Sequence, residues 1–123
     1  MPKRIMLVDD ERDLTNIFHQ MLGNSGHEVV EVANGSDVYR RVLAEHFDLV
    51  LLDYHLRDIK GDKVCEIIRS DEALKDLPVI IVTGYRNLDE AFFKAIGANE
   101  VLYKPVHRED LVRAVEKYLG ETL

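Results

Sequence analysis

The chain has a single cysteine, Cys65, and no long hydrophobic run. One thiol cannot form a disulfide within the chain, which fits a reducing compartment. The longest uninterrupted apolar runs, such as Leu49–Leu52, have four residues, whereas a membrane-spanning helix needs about 20. The N-terminus has a basic start but lacks the apolar stretch and cleavage site of a signal peptide. The sequence therefore predicts a cytoplasmic protein that does not enter a membrane.

Basic residues are scarce relative to acidic ones. There are 16 Lys and Arg against 23 Asp and Glu, so the net charge is −7. An acidic surface repels phosphate backbones, and we do not expect direct binding to nucleic acid. A length of 123 residues with 46% hydrophobic residues suits one globular core and argues against disorder. We expect a single domain over residues 1–123.

Three short, continuously apolar segments indicate strands that are buried on both faces. They are Ile5–Val8, Leu49–Leu52 and Val79–Val82. Weaker strand patterns cover Glu28–Val32, which alternates, and Glu100–Tyr103.

Helical periodicity fills the gaps between these segments. Asn87 and Glu90 have the spacing of a capping box ahead of the fourth predicted helix. Five alternations of strand and helix predict an α/β fold with a parallel sheet and helices on both faces. The apolar positions of the five helices are Leu14, Ile17, Phe18, Met21 and Leu22; Val38, Val42 and Leu43; Val64, Ile67 and Ile68; Leu88, Ala91, Phe92, Ala95 and Ile96; and Leu111, Val112, Val115, Tyr118 and Leu119.

Polar and charged residues stand at the ends of four predicted strands: Asp9 and Asp10, Asp53, Thr83, and Lys104. The carboxyl ends of parallel strands share one edge of the sheet, where ligands bind, so these side chains should converge. Crowded carboxylates favour a hard divalent cation such as Mg²⁺. An ammonium group and a hydroxyl beside them suit phosphoryl oxygens. The set predicts phosphoryl transfer to a carboxylate.

Five segments in this order resemble the receiver domain of two-component response regulators. The resemblance implies a doubly wound, flavodoxin-like fold with five strands in the order 2-1-3-4-5 and five helices. It also implies a cis peptide between Lys104 and Pro105. The matching segments are Ile5–Glu11, Leu49–Asp53 with Gly61 eight residues later, Pro78–Gly84, Gly97-Ala98 and Lys104-Pro105.

The resemblance implies a phosphorylation site with a metal ion. Asp53 would be the phosphoacceptor and also a ligand of Mg²⁺. Asp10 would bind the ion directly, and Asp9 would hold it through water or orient Asp10. The backbone carbonyl of His55 would complete the protein ligands.

The resemblance also implies a signalling switch. Thr83 and Lys104 would bind phosphoryl oxygens, and the donor would be a phosphohistidine of a sensor histidine kinase or a phosphotransfer protein. The face of the fourth helix, fifth strand and fifth helix would bind the output partner, with Val101 and Tyr103 as candidate residues. Such a domain is not an enzyme beyond its own phosphorylation and dephosphorylation.

Three positions depart from the family pattern. Arg57 stands where the family usually has proline, and Val101 where it usually has Tyr or Phe. A tyrosine, Tyr103, instead directly precedes Lys104. Because alternate strand residues share a side, Val101 and Tyr103 should face one way and Leu102 the other.

Two alternative functions come from the same residues. An aspartate-nucleophile phosphatase needs a second carboxylate two residues after its nucleophile, where this chain has His55. A pseudo-receiver would keep the fold and act only as an interaction module. Retention of the acidic pair, Asp53, Thr83 and Lys104 argues against the pseudo-receiver.

Overall fold

The structure, a computed structural model, describes residues 3–24 and 26–120, with the backbone alone at positions 12–14. Within these residues, five strands alternate with five α-helices. Two 3₁₀ turns, at Gly35–Asp37 and Glu72–Leu74, complete the elements. The ends of the predicted domain, residues 1–2 and 121–123, and the side chain of Leu14 lie outside this description. The bounds are β1 Arg4–Val8, α1 Arg12–Gly23, β2 Glu28–Val32, α2 Val38–Ala44, β3 Leu49–Asp53, α3 Gly61–Ser70, β4 Val79–Thr83, α4 Glu90–Ala95, β5 Glu100–Tyr103 and α5 Arg108–Leu119.

The five strands form one parallel sheet in the order β2-β1-β3-β4-β5. This confirms the predicted fold class and strand order. All five residues of β3 and all five of β4 are buried, because these strands lie inside the sheet with helices on both faces. Continuous apolar runs are what such strands require.

Alternate strand residues enter two separate hydrophobic layers. Met6 and Val50 point toward α2, α3 and α4, and Ile5 and Leu49 point toward α1 and α5. Four predicted apolar helix positions are exposed to solvent: Ile17 at 46%, Leu43 at 48%, Ala91 and Ala95. Each lies on the solvent side of its helix, so the predicted apolar stripes were too wide.

The start of α4 differs from the prediction. Asp89, not Asn87, is the N-cap residue, and its carboxylate accepts a hydrogen bond of 2.9 Å from the backbone N–H of Phe92. Aspartate caps a helix as well as asparagine does, and Asp89 stands at the required spacing. The segment 84–89 is therefore a loop, and α4 begins at Glu90.

Two glycines allow close packing around the strand ends. A Cβ atom at Gly61 would lie 3.0 Å from the Cα of Tyr54, so the first turn of α3 fits against the loop after β3 only without a side chain. Gly97 follows α4 with φ of 108°, a conformation that favours glycine. Among the described residues, no helix is both long and apolar enough to cross a bilayer.

Candidate functional site

Three carboxylates meet at the carboxyl edge of the sheet. Asp9 follows β1, Asp53 ends β3, and oxygens of Asp9, Asp10 and Asp53 lie within 4.8 Å of one another. Asp9 and Asp53 are 6% and 4% exposed. The predicted convergence of these three residues is therefore present in the fold.

Backbone N–H groups hold each carboxylate in place. Asp9 accepts from Glu11 at 2.8 Å, and Asp53 accepts from His55 at 3.1 Å through Oδ1. Asp10 accepts from Arg57 at 3.0 Å. A proline at position 57, as is usual in the family, has no N–H to offer. The departure at Arg57 thus adds a donor that orients Asp10.

The acidic cluster is electrostatically unfavourable by itself. Burial raises the pKa of Asp9 to about 6, and the charge of Asp53 adds to the rise, although the Glu11 N–H favours the ionised form. A buried carboxylate next to others of the same charge gains most from a cation. The donor set is made of oxygens, which hard divalent ions prefer. Asp9, Asp10 and Asp53 therefore fit a metal ion of the Mg²⁺ type.

Lys104 brings positive charge to the same edge. Its Nζ lies 3.6 Å from Oδ1 of Asp53, and its side chain is 23% exposed. The Lys104–Pro105 peptide is cis, as predicted. The backbone N–H of Lys104 donates to the carbonyl of Thr83 at 2.8 Å, which fixes the end of β5 to the end of β4.

Thr83 is fully buried and its hydroxyl has two partners. Oγ1 accepts a 3.0 Å hydrogen bond from the backbone N–H of Tyr85 and lies 2.8 Å from Nε2 of His55. Burial lowers the pKa of His55 and so favours the neutral imidazole. The negative charge of Asp53 acts in the opposite direction but is the smaller effect. The sequence predicts a metal-binding role for the backbone carbonyl of His55. It does not predict this side-chain contact, which joins residues that are 28 positions apart.

Val101 and Tyr103 face the same side of the sheet, as predicted. Val101 belongs to the layer covered by α2, α3 and α4, Tyr103 packs against that layer, and Leu102 packs on the opposite one. The hydroxyl of Tyr103 donates to the carbonyl of Leu88 at 2.7 Å. The guanidinium of Arg86 lies over the Tyr103 ring, 5.7 Å from its centre.

Comparison with known proteins agrees with the fold. The family model described as response regulator receiver domain matches residues 5–116. The polar-differentiation response regulator DivK of Brucella anthropi is 28% identical over an alignment of 122 residues, and the match covers 98% of this chain and 99% of DivK.

Two solved structures are similar over nearly the whole chain. A CheY-like receiver domain protein from Methanospirillum hungatei JF-1 is 30% identical with a TM-score of 0.88, covering 98% of this chain and 95% of that one. The receiver domain of the sensor histidine kinase PA1611 from Pseudomonas aeruginosa PAO1 carries a magnesium ion in its active site cleft. It is 27% identical with a TM-score of 0.87, and the match covers 98% of this chain and 100% of the PA1611 domain. The protein described here belongs to the response regulator receiver domain family.

Proposed function

We propose that this receiver domain is a phosphorylation-controlled switch and that Asp53 is its phosphoacceptor. The observation that supports this most is the environment of Asp53. Its buried carboxylate ends a central strand, lies 3.6 Å from the ammonium group of Lys104, and belongs to the acidic cluster with Asp9 and Asp10.

The reaction is a transfer between two covalent bonds to phosphorus. An oxygen of the Asp53 carboxylate attacks the phosphorus of a phosphohistidine on a sensor histidine kinase or phosphotransfer protein. The P–N bond breaks, its electron pair stays on the donor imidazole, and a P–O bond forms on Asp53. The cost of bringing a dianionic phosphoryl group next to carboxylates is offset by positive charge at the site.

Asp10, Asp53 and the backbone carbonyl of His55 would hold Mg²⁺, with Asp9 acting through water or by orienting Asp10. When bound, the ion neutralises the crowded carboxylates and phosphoryl oxygens. Lys104 supplies a positive charge to one phosphoryl oxygen, and the hydroxyl of Thr83 donates to another.

The output of the switch would be read on the face of α4, β5 and α5, where Val101 and Tyr103 are the candidate residues. An output partner would bind there, and we expect neither nucleic acid nor membrane to bind directly. A domain extent of residues 1–123, a cytoplasmic location and the absence of enzymatic turnover toward other substrates stay predictions.

Intact mass spectrometry tests the proposal. The protein is incubated with Mg²⁺ and a small-molecule phosphodonor, and we expect a gain of one phosphoryl group. Asp53→Asn should gain none, because the amide keeps the shape but is not a nucleophile. Asp76→Asn changes an exposed aspartate before β4, at the opposite edge of the sheet, and should behave as the wild type. Absence of any gain in the wild type would indicate a pseudo-receiver.

A further inference from the structure

The side chain of His55 lies beside the hydroxyl that the proposed switch uses. Thr83 Oγ1 is 2.8 Å from His55 Nε2 and 3.0 Å from the backbone nitrogen of Tyr85. A hydroxyl has one proton to donate and two lone pairs. The Tyr85 N–H occupies one lone pair, and the proton requires an acceptor because Thr83 has no exposed surface. The imidazole nitrogen is the acceptor that the described part of the chain offers to this proton.

Aromatic rings hold His55 in this orientation. The Tyr85 ring lies 4.0 Å from the imidazole between centres, and the Tyr54 ring 5.1 Å on an edge-to-face contact. Tyr54 in turn packs edge-to-face on Phe93 of α4 at 5.4 Å. These ring contacts fix the orientation of the imidazole, and in that orientation its Nε2 lies within hydrogen-bond distance of Thr83 Oγ1.

A phosphoryl group on Asp53 would compete for the same proton. Phosphoryl oxygens only accept hydrogen bonds at neutral pH, so Thr83 can bind them only by donating its hydroxyl proton. The single hydroxyl proton cannot form a full hydrogen bond with His55 and with a phosphoryl oxygen at the same time. Phosphorylation therefore has to break the His55–Thr83 hydrogen bond, or weaken it.

We infer that His55 is a positioning residue that holds the Thr83 hydroxyl in the unphosphorylated state and thereby opposes the switch. This inference rests on the proposed function. Once the hydrogen bond between Thr83 and His55 is broken, the half-buried imidazole can bind water instead. The buried Thr83 hydroxyl cannot reach water. Removing the imidazole nitrogen should accordingly destabilise the unphosphorylated state more than the phosphorylated one.

The test measures how tightly each variant binds beryllofluoride with Mg²⁺, a stable analogue of the phosphoryl group. The chain has no tryptophan, so isothermal titration calorimetry is the suitable method. His55→Phe keeps an aromatic ring between Tyr54 and Tyr85 but has no nitrogen. His55→Phe removes from the analogue-free protein the hydrogen bond between Thr83 and His55, which binding of the analogue would otherwise have to break. We therefore expect this variant to bind the analogue about fivefold more tightly than the wild type.

Two further variants separate positioning from packing. His55→Gln places an amide group where Nε2 stands and should restore an affinity near that of the wild type. In a Thr83→Val background, His55→Phe should change the affinity by less than about twofold, because the shared hydrogen bond is already gone. If His55→Phe does not fold, His55→Leu carries the same expectation.

The outcomes are distinct. A wild type that binds beryllofluoride, with unchanged or weaker binding by His55→Phe, would overturn the role of His55 and leave the proposed function intact. A wild type that binds none would overturn both. A second readout needs no analogue: the ¹⁵N resonance of His55 Nε2 should move in Thr83→Val, and an unmoved resonance would also contradict the inference.

Discussion

The hydroxyl of Tyr103 donates a 2.7 Å hydrogen bond to the backbone carbonyl of Leu88. This bond joins the end of β5 to the loop between β4 and α4, the segment that begins directly after Thr83. The family usually has its aromatic residue at the position of Val101, which has neither a ring nor a hydroxyl. In this chain, the aromatic contact between β5 and the loop is therefore made two residues further along the strand.

Tyr103→Phe should weaken the attachment of this loop. The ring and its contact with Arg86 remain, but the hydrogen bond that the half-buried hydroxyl donates to Leu88 is lost, at a cost of about 1 kcal/mol in the free energy of unfolding. Denaturant titration of the two proteins measures the difference. Equal stability would mean that the hydrogen bond has no net value, and Tyr103 would then act through packing alone.

At acid pH, Asp58 should no longer contribute to the stability of the fold. Its carboxylate accepts hydrogen bonds from the backbone N–H groups of Gly35 at 3.0 Å and Ser36 at 2.8 Å. Burial acts to raise the pKa of Asp58, but these hydrogen bonds outweigh it and bring the pKa from 3.8 to about 2. A lowered carboxyl pKa stabilises the fold above the unfolded-state value and loses that contribution as the pH falls through the folded-state value.

The measurement for Asp58 is the free energy of unfolding of the wild type and Asp58→Asn between neutral pH and about pH 2. The wild type should be the more stable at neutral pH, and the difference should shrink below pH 3.8, as the unfolded state begins to bind the proton. A difference that stays constant with pH would show that the charge of Asp58 does not strengthen these hydrogen bonds.

Asp9 should destabilise the metal-free protein. Its pKa of about 6, raised by burial, means that ionised Asp9 costs stability above that pH. Asp9→Asn removes the charge and keeps the shape, so its melting temperature in a chelator above pH 6 should exceed that of the wild type. Saturating Mg²⁺ should raise the melting temperature of the wild type more than that of the variant. A lower melting temperature for metal-free Asp9→Asn would contradict this.

Asp10→Ala should weaken the binding of Mg²⁺, because it removes a proposed direct ligand. Calorimetric titration with MgCl₂ compares the variant with the wild type. Glu11→Ala, next to it in sequence and exposed, is the matched control and should bind the ion nearly as the wild type does. Unchanged Mg²⁺ affinity in Asp10→Ala would exclude it as a ligand.

The sequence predicts the sheet and its functional edge because both depend on simple regularities. Leu49–Leu52 and Val79–Val82 are continuously apolar, which requires cover on both faces, and parallel strands bring their ends together. Asp53 and Thr83 could therefore be assigned to one site although they are far apart in sequence.

Sequence patterns do not predict contacts that depend on the conformation of a loop. The hydrogen bond between Thr83 and His55 requires a particular rotamer of His55 and the neighbouring aromatic rings, and the spacing of residues in the sequence predicts neither. The N–H of Arg57 reaches Asp10 only through the shape of the loop after β3. The start of α4 was misplaced because Asn87 and Asp89 are both good N-cap residues, and only the observed backbone distinguishes them.

The central claim is that one residue, Asp53, takes up the phosphoryl group. Borohydride reduces an aspartyl phosphate to homoserine, so peptide mass spectrometry of the phosphorylated and reduced protein identifies the modified position. We expect homoserine at position 53 and aspartate at positions 9 and 10. Homoserine at position 9 or 10, or aspartate at all three positions after the intact protein has gained a phosphoryl group, would contradict it.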